Sequence, residues 1–391
     1  MNNHWQSLTS YRSPELVQQL ADAINNACQG RVKIMQVCGT HTWSYRRHGL
    51  ATLLTQNLSL VAGPGCPVCV TDQGDLDWIM DLAGEKQNTL VTFGDLMRVP
   101  GSNGSLAEMQ SRGADIRVVL SPLKALDIAL AEPSRRVILV AIGFETTAPV
   151  VAATLQHAHR LCLTNFSVVL LLKRLIPALR HLFAHERPDG ILCPGHVAAI
   201  VGRHAFAFLP QELGIPSAIA GFEPVDMLLG LLDLAQQLKT TNVKITNAYP
   251  RVVTEQGNPI ARSLIEATFE PAPSQWRGLG ELPTAGYRLK GALQRFGLNP
   301  PAVLLSKAAN GQCLCHLVIL GKHTPQACPR FRNNCTPENP LGPCMVSEEG
   351  TCAAHYYYPD LDEPLEIPDT ESEVTLQLPP PVTDGKLPNK K

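Results

Sequence analysis

The chain has 391 residues, 12 cysteines and a formal net charge of -1. That length is enough for two or three domains with a well-buried core, and the near-neutral charge gives no electrostatic reason to expect nucleic acid or an anionic membrane as partner. The N-terminal MNNHWQSLTSYRSPE lacks a basic-then-apolar signal pattern, and the greasiest stretch, Val168–Leu172, is cut short by Lys173 and Arg174, so the expected setting is soluble and cytoplasmic.

In chain order, short apolar runs at Val32–Val37, Leu58–Ala62, Thr89–Phe93, Ile116–Leu120, Val137–Ile142, Ser167–Leu172, Gly190–Leu192 and Ser217–Ala220 read as strands. Most are β-branched and do not alternate, as strands buried on both faces of a parallel sheet should be. Helical stretches such as Leu123–Leu130, Val150–Cys162 and Val225–Gln237 separate them. This alternation predicts an α/β fold with largely parallel sheets flanked by helices. Eight strands suit two smaller sheets, and an internal echo agrees: AIGFETTAP (Ala141–Pro149) and IAGFEPVD (Ile219–Asp226) each place Gly-Phe-Glu after a strand. The expected division is a first lobe over 30–115, a second over 116–225, and a cysteine-rich domain over 226–358 packed with an N-terminal helix at 13–29. A Pro-rich acidic tail, 359–391, has little to bury and is expected to be disordered.

Polar and thiol residues gather just after the predicted strands. Cys38-Gly-Thr-His41-Thr follows the first, Gly63-Pro-Gly-Cys66-Pro-Val-Cys69 the second, and Phe93-Gly-Asp95-Leu-Met-Arg98 the third. Gly143-Phe-Glu145 follows the fifth strand and Cys193-Pro-Gly-His196 the seventh. In open parallel sheets such strand ends form the ligand crevice. Tight turns account for the glycines and prolines but not for the Cys, His, Asp and Glu beside them. A thiol at Cys38, where a helix begins, should meet free N–H groups that favour thiolate. His41, three residues on, is placed to donate to that sulfur, act as a base or complete a metal site.

Cys66-Pro-Val-Cys69 has the spacing of a redox dithiol or of half a zinc site, to which Cys38 and His41 would add two ligands if their loops meet. Near the C-terminus Cys328, Cys335, Cys344 and Cys352 are spaced C-x6-C, C-x8-C and C-x7-C, with Cys313 and Cys315 upstream. Prolines and glycines between them let the backbone wrap a compact centre. Structural zinc sites come as two tight pairs, whereas these four are evenly spread, closer to an iron–sulfur pattern. The isolated Cys28, Cys162 and Cys193 read as core thiols.

The motifs CGTHT, GPGCPVCVT, FGDLMRVPGS, GFETTAP, CPGHV, GFEPVDML, NAYPRVVTEQGN and CTPENPLGPCMVSEEGTCAA, in this order from Val32 to Tyr358, resemble those of the HypD family of hydrogenase maturation proteins. The resemblance implies two α/β lobes and a C-terminal part holding a [4Fe–4S] cluster on Cys328, Cys335, Cys344 and Cys352, with Cys313 or Cys315 as a substitute for one of them. It implies a scaffold for the Fe(CN)2(CO) unit of [NiFe]-hydrogenases, bound transiently through Cys38 beside His41, with Cys66 and Cys69 as the electron-relaying dithiol. The implied partners are the small chaperone HypC, the cyanide donor HypE with HypF upstream, and indirectly the hydrogenase large subunit. The residues also suit a plainer role, an iron–sulfur-dependent dithiol oxidoreductase acting on protein partners, or a zinc-stabilised interaction module.

Overall fold

The computed structural model describes residues 10–28, 30–54, 57–240, 242–300 and 313–359, and those up to 359 belong to one compact unit. The expected disordered tail lies outside the described residues from 360 onward.

Among the described residues twelve strands form: β1 Val32–Gln36, β2 Leu58–Ala62, β3 Asn88–Thr92, β4 Ile116–Val118, β5 Arg136–Gly143, β6 Phe166–Leu172, β7 Gly190–Pro194, β8 Ser217–Ala220, β9 Ile245–Asn247, β10 Phe269–Trp276, β11 Gly280–Leu289 and β12 Gly297–Leu298. The first eight match the predicted runs. Together with β9 and β12 they build two five-stranded parallel sheets, β2-β1-β7-β8-β9 and β12-β6-β5-β3-β4. β5 shows why the runs do not alternate: every residue from Val137 to Gly143 is buried, with helices on both faces.

The sheets do not divide at 115/116. The chain lays down β1 and β2, crosses to build β3 to β6 of the second sheet, and returns to the first for β7, β8 and β9. A linear reading splits strands by their order, whereas hydrogen bonding groups them by register, so β3 pairs with β5 between residues 48 apart in the chain, Leu90 opposite Ile138 among the pairs. Of the unpredicted strands, β9 and β12 are three and two residues long. β10 carries Pro271 and Pro273, tolerated because at those two residues β10 pairs with no strand but β11 and is an edge strand.

Helix Pro14–Ala27 starts on a Ser13 cap, whose Oγ accepts from the Leu16 N–H, with proline at its first position. Its buried face, Leu20, Ala21 and Ile24, packs on helix Pro224–Thr240. Both cover the first sheet, sharing a core with Ile34, Leu58, Leu192 and Ala218. The cysteine-rich segment joins a different core. Its buried Cys328, Cys335, Cys344 and Cys352 share one apolar cluster with Cys69 after β2, Phe144 after β5 and Cys193 in β7. Helix Thr351–Tyr357 packs on helix Gly39–Arg47, with Trp43 meeting the edges of Tyr357 and Tyr358 at 5.9 and 5.2 Å. The segment therefore seats directly on the helix that follows Cys38.

Candidate functional site

Cys38 caps the start of helix Gly39–Arg47 and is buried. Its N–H donates to Gln36 Oε1 at 3.3 Å, and Gln36 is held in turn by Thr42 Oγ1. The expectation of a lowered thiol pKa is overturned. Burial, reinforced by the nearby Glu349 carboxylate, pushes the thiol up to about 12, against weaker help from the N–H groups of His41 and Thr40 and the Thr40 hydroxyl. Desolvation outweighs the helix terminus because one turn of dipole acts on a site closed to water. As a free thiol Cys38 stays protonated near neutral pH.

The second thiol loop folds around the first. Gly63 donates to the Gln36 carbonyl, and Gly65 accepts from the Gly39 N–H at 3.1 Å. A Cβ on Gly65 would fall 2.3 Å from the Cys38 nitrogen, and one on Gly39 would fall 2.2 Å from the Glu349 carbonyl oxygen. Only glycine at positions 39 and 65 permits this close approach of Gly65 to Cys38 and of Gly39 to Glu349. Cys66 and Cys69 are joined as a buried disulfide, with the Cys69 N–H donating to Cys66 Sγ. In this oxidised form, among the described residues, they are not arranged with Cys38 and His41 around a metal ion.

His41 turns away from the thiol. Its Nε2 donates to the carbonyls of Ala220 (3.3 Å) and Gly221 (3.0 Å), which leaves Nδ1 as the acceptor, buried and without a partner. Burial lowers its pKa to about 4, so the ring is neutral. Phe222 lies between His41 and His196, with centroids at 4.8 and 3.8 Å.

These loops enclose a cavity of about 130 Å³. Cys38 and Pro67 line it from one side, Phe144 and Thr146 from the second sheet, and His196 and Glu349 complete it. The strand ends of both sheets and the cysteine-rich segment therefore meet at one thiol. The sequence-selected Asp95, Arg98 and Glu145 lie elsewhere. Asp95 accepts from Ser347 Oγ at 3.2 Å and Arg98 donates to the Pro337 carbonyl at 3.0 Å, which ties the β3 loop to the cysteine-rich segment. Glu145 is buried, accepts from the Leu175 N–H, and has one oxygen unpartnered; burial raises its pKa to about 7. Glu349, Gln36 and Phe222 escaped the sequence reading. Glu349 alone carried a signal, an acidic residue inside the glycine- and cysteine-rich VSEEGTC.

Six thiols gather in the cysteine-rich segment. Cys313 contacts Cys315, Cys315 contacts Cys344, and Cys344 contacts Cys352, so the two upstream cysteines belong to the same group as the predicted four. Cys335 Sγ accepts the Leu341 N–H at 3.4 Å and that of Gly342; burial raises this thiol and those N–H groups oppose the rise. A Cβ on Gly342 would come within 2.8 Å of Cys313 Sγ. Among the described residues no group of three or more His, Cys, Asp or Glu side chains is arranged to hold a single metal ion. Of the isolated cysteines, Cys28 and Cys193 are buried, but Cys162 is exposed in a left-handed turn position.

Residues 15–359 match the family model HypD, described as "Hydrogenase formation hypA family". The chain is 40% identical over 366 residues to the hydrogenase maturation factor HypD of Escherichia coli, covering 89% of this chain and 96% of that protein. It is 39% identical to the factor of the same name from Rhodobacter capsulatus, covering 90% and 97%. A putative hydrogenase expression/formation protein of Methanocaldococcus jannaschii is 36% identical over 350 residues, covering 88% and 97%. Among the described residues no helix is long and apolar enough to cross a membrane.

Proposed function

This chain belongs to the HypD family of hydrogenase maturation factors, and from that premise we propose that it is the scaffold on which the Fe(CN)2(CO) unit of [NiFe]-hydrogenases is assembled. The substrate iron binds Cys38, a small HypC-type chaperone supplies a second thiolate, HypE brings cyanide made with HypF, and the finished unit passes to the hydrogenase large subunit.

The observation that carries this reading is the shared cavity. Cys38, the Cys66–Cys69 loop and the cysteine-rich segment all border the same space of about 130 Å³. A buried, protonated thiol is inert to oxidation and exchange, yet a soft Fe(II) displaces its proton. The N–H groups of Thr40 and His41 and the Thr40 hydroxyl then stand ready around the thiolate. Release of cyanide from a protein thiocyanate consumes two electrons, R–S–CN + 2e⁻ → R–S⁻ + CN⁻. Oxidation of the Cys66 and Cys69 thiols to the disulfide supplies two electrons and releases two protons.

Cys328, Cys335, Cys344 and Cys352 would hold a [4Fe–4S] cluster, with Cys313 or Cys315 able to replace one. The donor set fits: all four are buried, and backbone N–H groups already point at Cys335. When bound, that cluster would supply single electrons, and the Cys66–Cys69 disulfide would need two of them, with two protons, to return to the dithiol.

The test is an infrared spectrum of the protein purified anaerobically with its small partner from cells expressing the maturation set. Cyanide and carbonyl stretches that vanish in Cys38→Ala support the scaffold. The disulfide itself favours a second reading, a dithiol oxidoreductase acting on protein partners. A brown, iron-containing complex without those bands would put that reading first.

A further inference from the structure

The turn between β10 and β11 carries a buried cation that the chemistry above does not use. Arg277 is 8% exposed. Its backbone N–H donates to the Val70 carbonyl at 2.8 Å, its Nε to the Thr71 carbonyl at 3.0 Å, and one Nη to Gln73 Oε1 at 3.5 Å. All three acceptors follow Cys69 directly. The neighbouring Trp276 bridges Thr71 as an isolated antiparallel pair. On its other side the turn touches the cysteine-rich segment: Gly278, at φ +82°, lies so close that a Cβ would sit 3.0 Å from the His316 carbonyl oxygen. The hairpin tip is thus wedged between the disulfide loop and helix Cys315–Val318.

A guanidinium cannot shed its proton, and burying one without an anion is costly. Among the described residues the acceptors of the Arg277 side chain are neutral, a carbonyl and an amide. The groups beside the turn that can become anionic are the thiols at the start of helix Cys315–Val318, neutral when free and negative as thiolate ligands.

We propose that Arg277 is a positioning residue whose charge is balanced by the thiolate-ligated centre of the cysteine-rich segment, so that it raises the reduction potential of that centre while tying it to the Cys66–Cys69 loop. This rests on the cluster reading given above. Reduction adds negative charge to the centre, and a fixed cation nearby makes that addition easier. Deleting the cation makes the centre harder to reduce.

The experiment is an anaerobic redox titration, followed by electron paramagnetic resonance, of the full chain reconstituted with iron and sulfide. Arg277→Gln should lower the midpoint potential by about 59 mV, a tenfold change in the one-electron equilibrium. Gln73→Glu, which sets a carboxylate against the guanidinium without deleting it, should shift it the same way and keeps the test alive if Arg277→Gln does not fold. Arg277→Lys, which keeps the charge and loses the fork, should titrate near the wild type. Loaded neutralising variants with wild-type potentials overturn the role of Arg277 alone, as does a Lys variant shifted as far as the Gln variant. A wild-type chain that takes up neither iron nor sulfide overturns this inference together with the cluster reading.

Discussion

The two Gly-Phe-Glu corners stand at the carboxyl ends of β5 and β8, one in each sheet, and they have opposite characters. At the β5 corner Phe144 is buried and stacks on Trp276 at 5.9 Å, and Glu145 is sealed against the N-terminus of helix Leu175–His185. At the β8 corner Phe222 is half-buried between two histidines, and Glu223 reaches the surface to pair with Arg12, which holds its carboxyl below the usual range. The tripeptide marks a strand end and aims a phenylalanine toward the middle of the molecule. What the glutamate becomes depends on what packs above it. Interior fills the β5 corner, whereas the N-terminal segment crosses the β8 corner through Arg12 and the Tyr11 carbonyl, which accepts from Val225.

The largest effect that separates the two corners concerns chemistry. On the side of the first sheet, Cys38→Ala should abolish the cyanide and carbonyl bands and hydrogenase maturation while iron and sulfide content stays at the wild-type level. Near-normal maturation would sink the scaffold. Next comes packing. Phe144→Ala should cost roughly 3–5 kcal/mol in denaturant unfolding, the usual range for emptying a buried phenylalanine site. Phe222→Ala should cost clearly less, because that side chain is only half-buried; equal losses would erase the contrast.

The corners should also respond to pH with opposite sign. Glu145 binds its proton more tightly folded (about 7) than at the ordinary 4.5, so its stability contribution is intact below pH 4.5 and is lost as pH rises to 7. Glu145→Gln should therefore gain on the order of 3 kcal/mol over the wild type at pH 8 and nothing at pH 4.5. His41, against Phe222, runs the other way. Its pKa falls from 6.5 to about 4, so its contribution is complete above pH 6.5 and is lost on acidification toward 4. Chemical melts of a His41→Gln variant should lack that acid limb, and a limb that persists would assign the loss to other groups. The smallest effect belongs to Glu223→Gln. Its partner Arg12 is exposed, and such pairs add little, so its melting temperature should match the wild type.

The sequence by itself determined the eight main strands, because a strand buried on both faces must be a short apolar run whatever surrounds it. It also determined that the reactive groups follow strand ends, since Gly and Pro punctuate those turns. The fold class and the grouping of Cys328, Cys335, Cys344 and Cys352 were legible for the same local reasons. Tertiary structure alone decided the rest. Sheet membership was hidden because β1 pairs with β7, Ile34 opposite Gly190 at a distance of 156 residues in the chain, and register leaves no local mark. The protonation of Cys38 was misread because a helix start is written in sequence, whereas its burial under Gly65 and Glu349 is not. His41 was paired with the wrong partner for a similar reason. Its nearest neighbour in sequence is the Cys38 loop, but the helix turns its ring toward the carbonyls at the end of β8, where an unpaired backbone needs a donor.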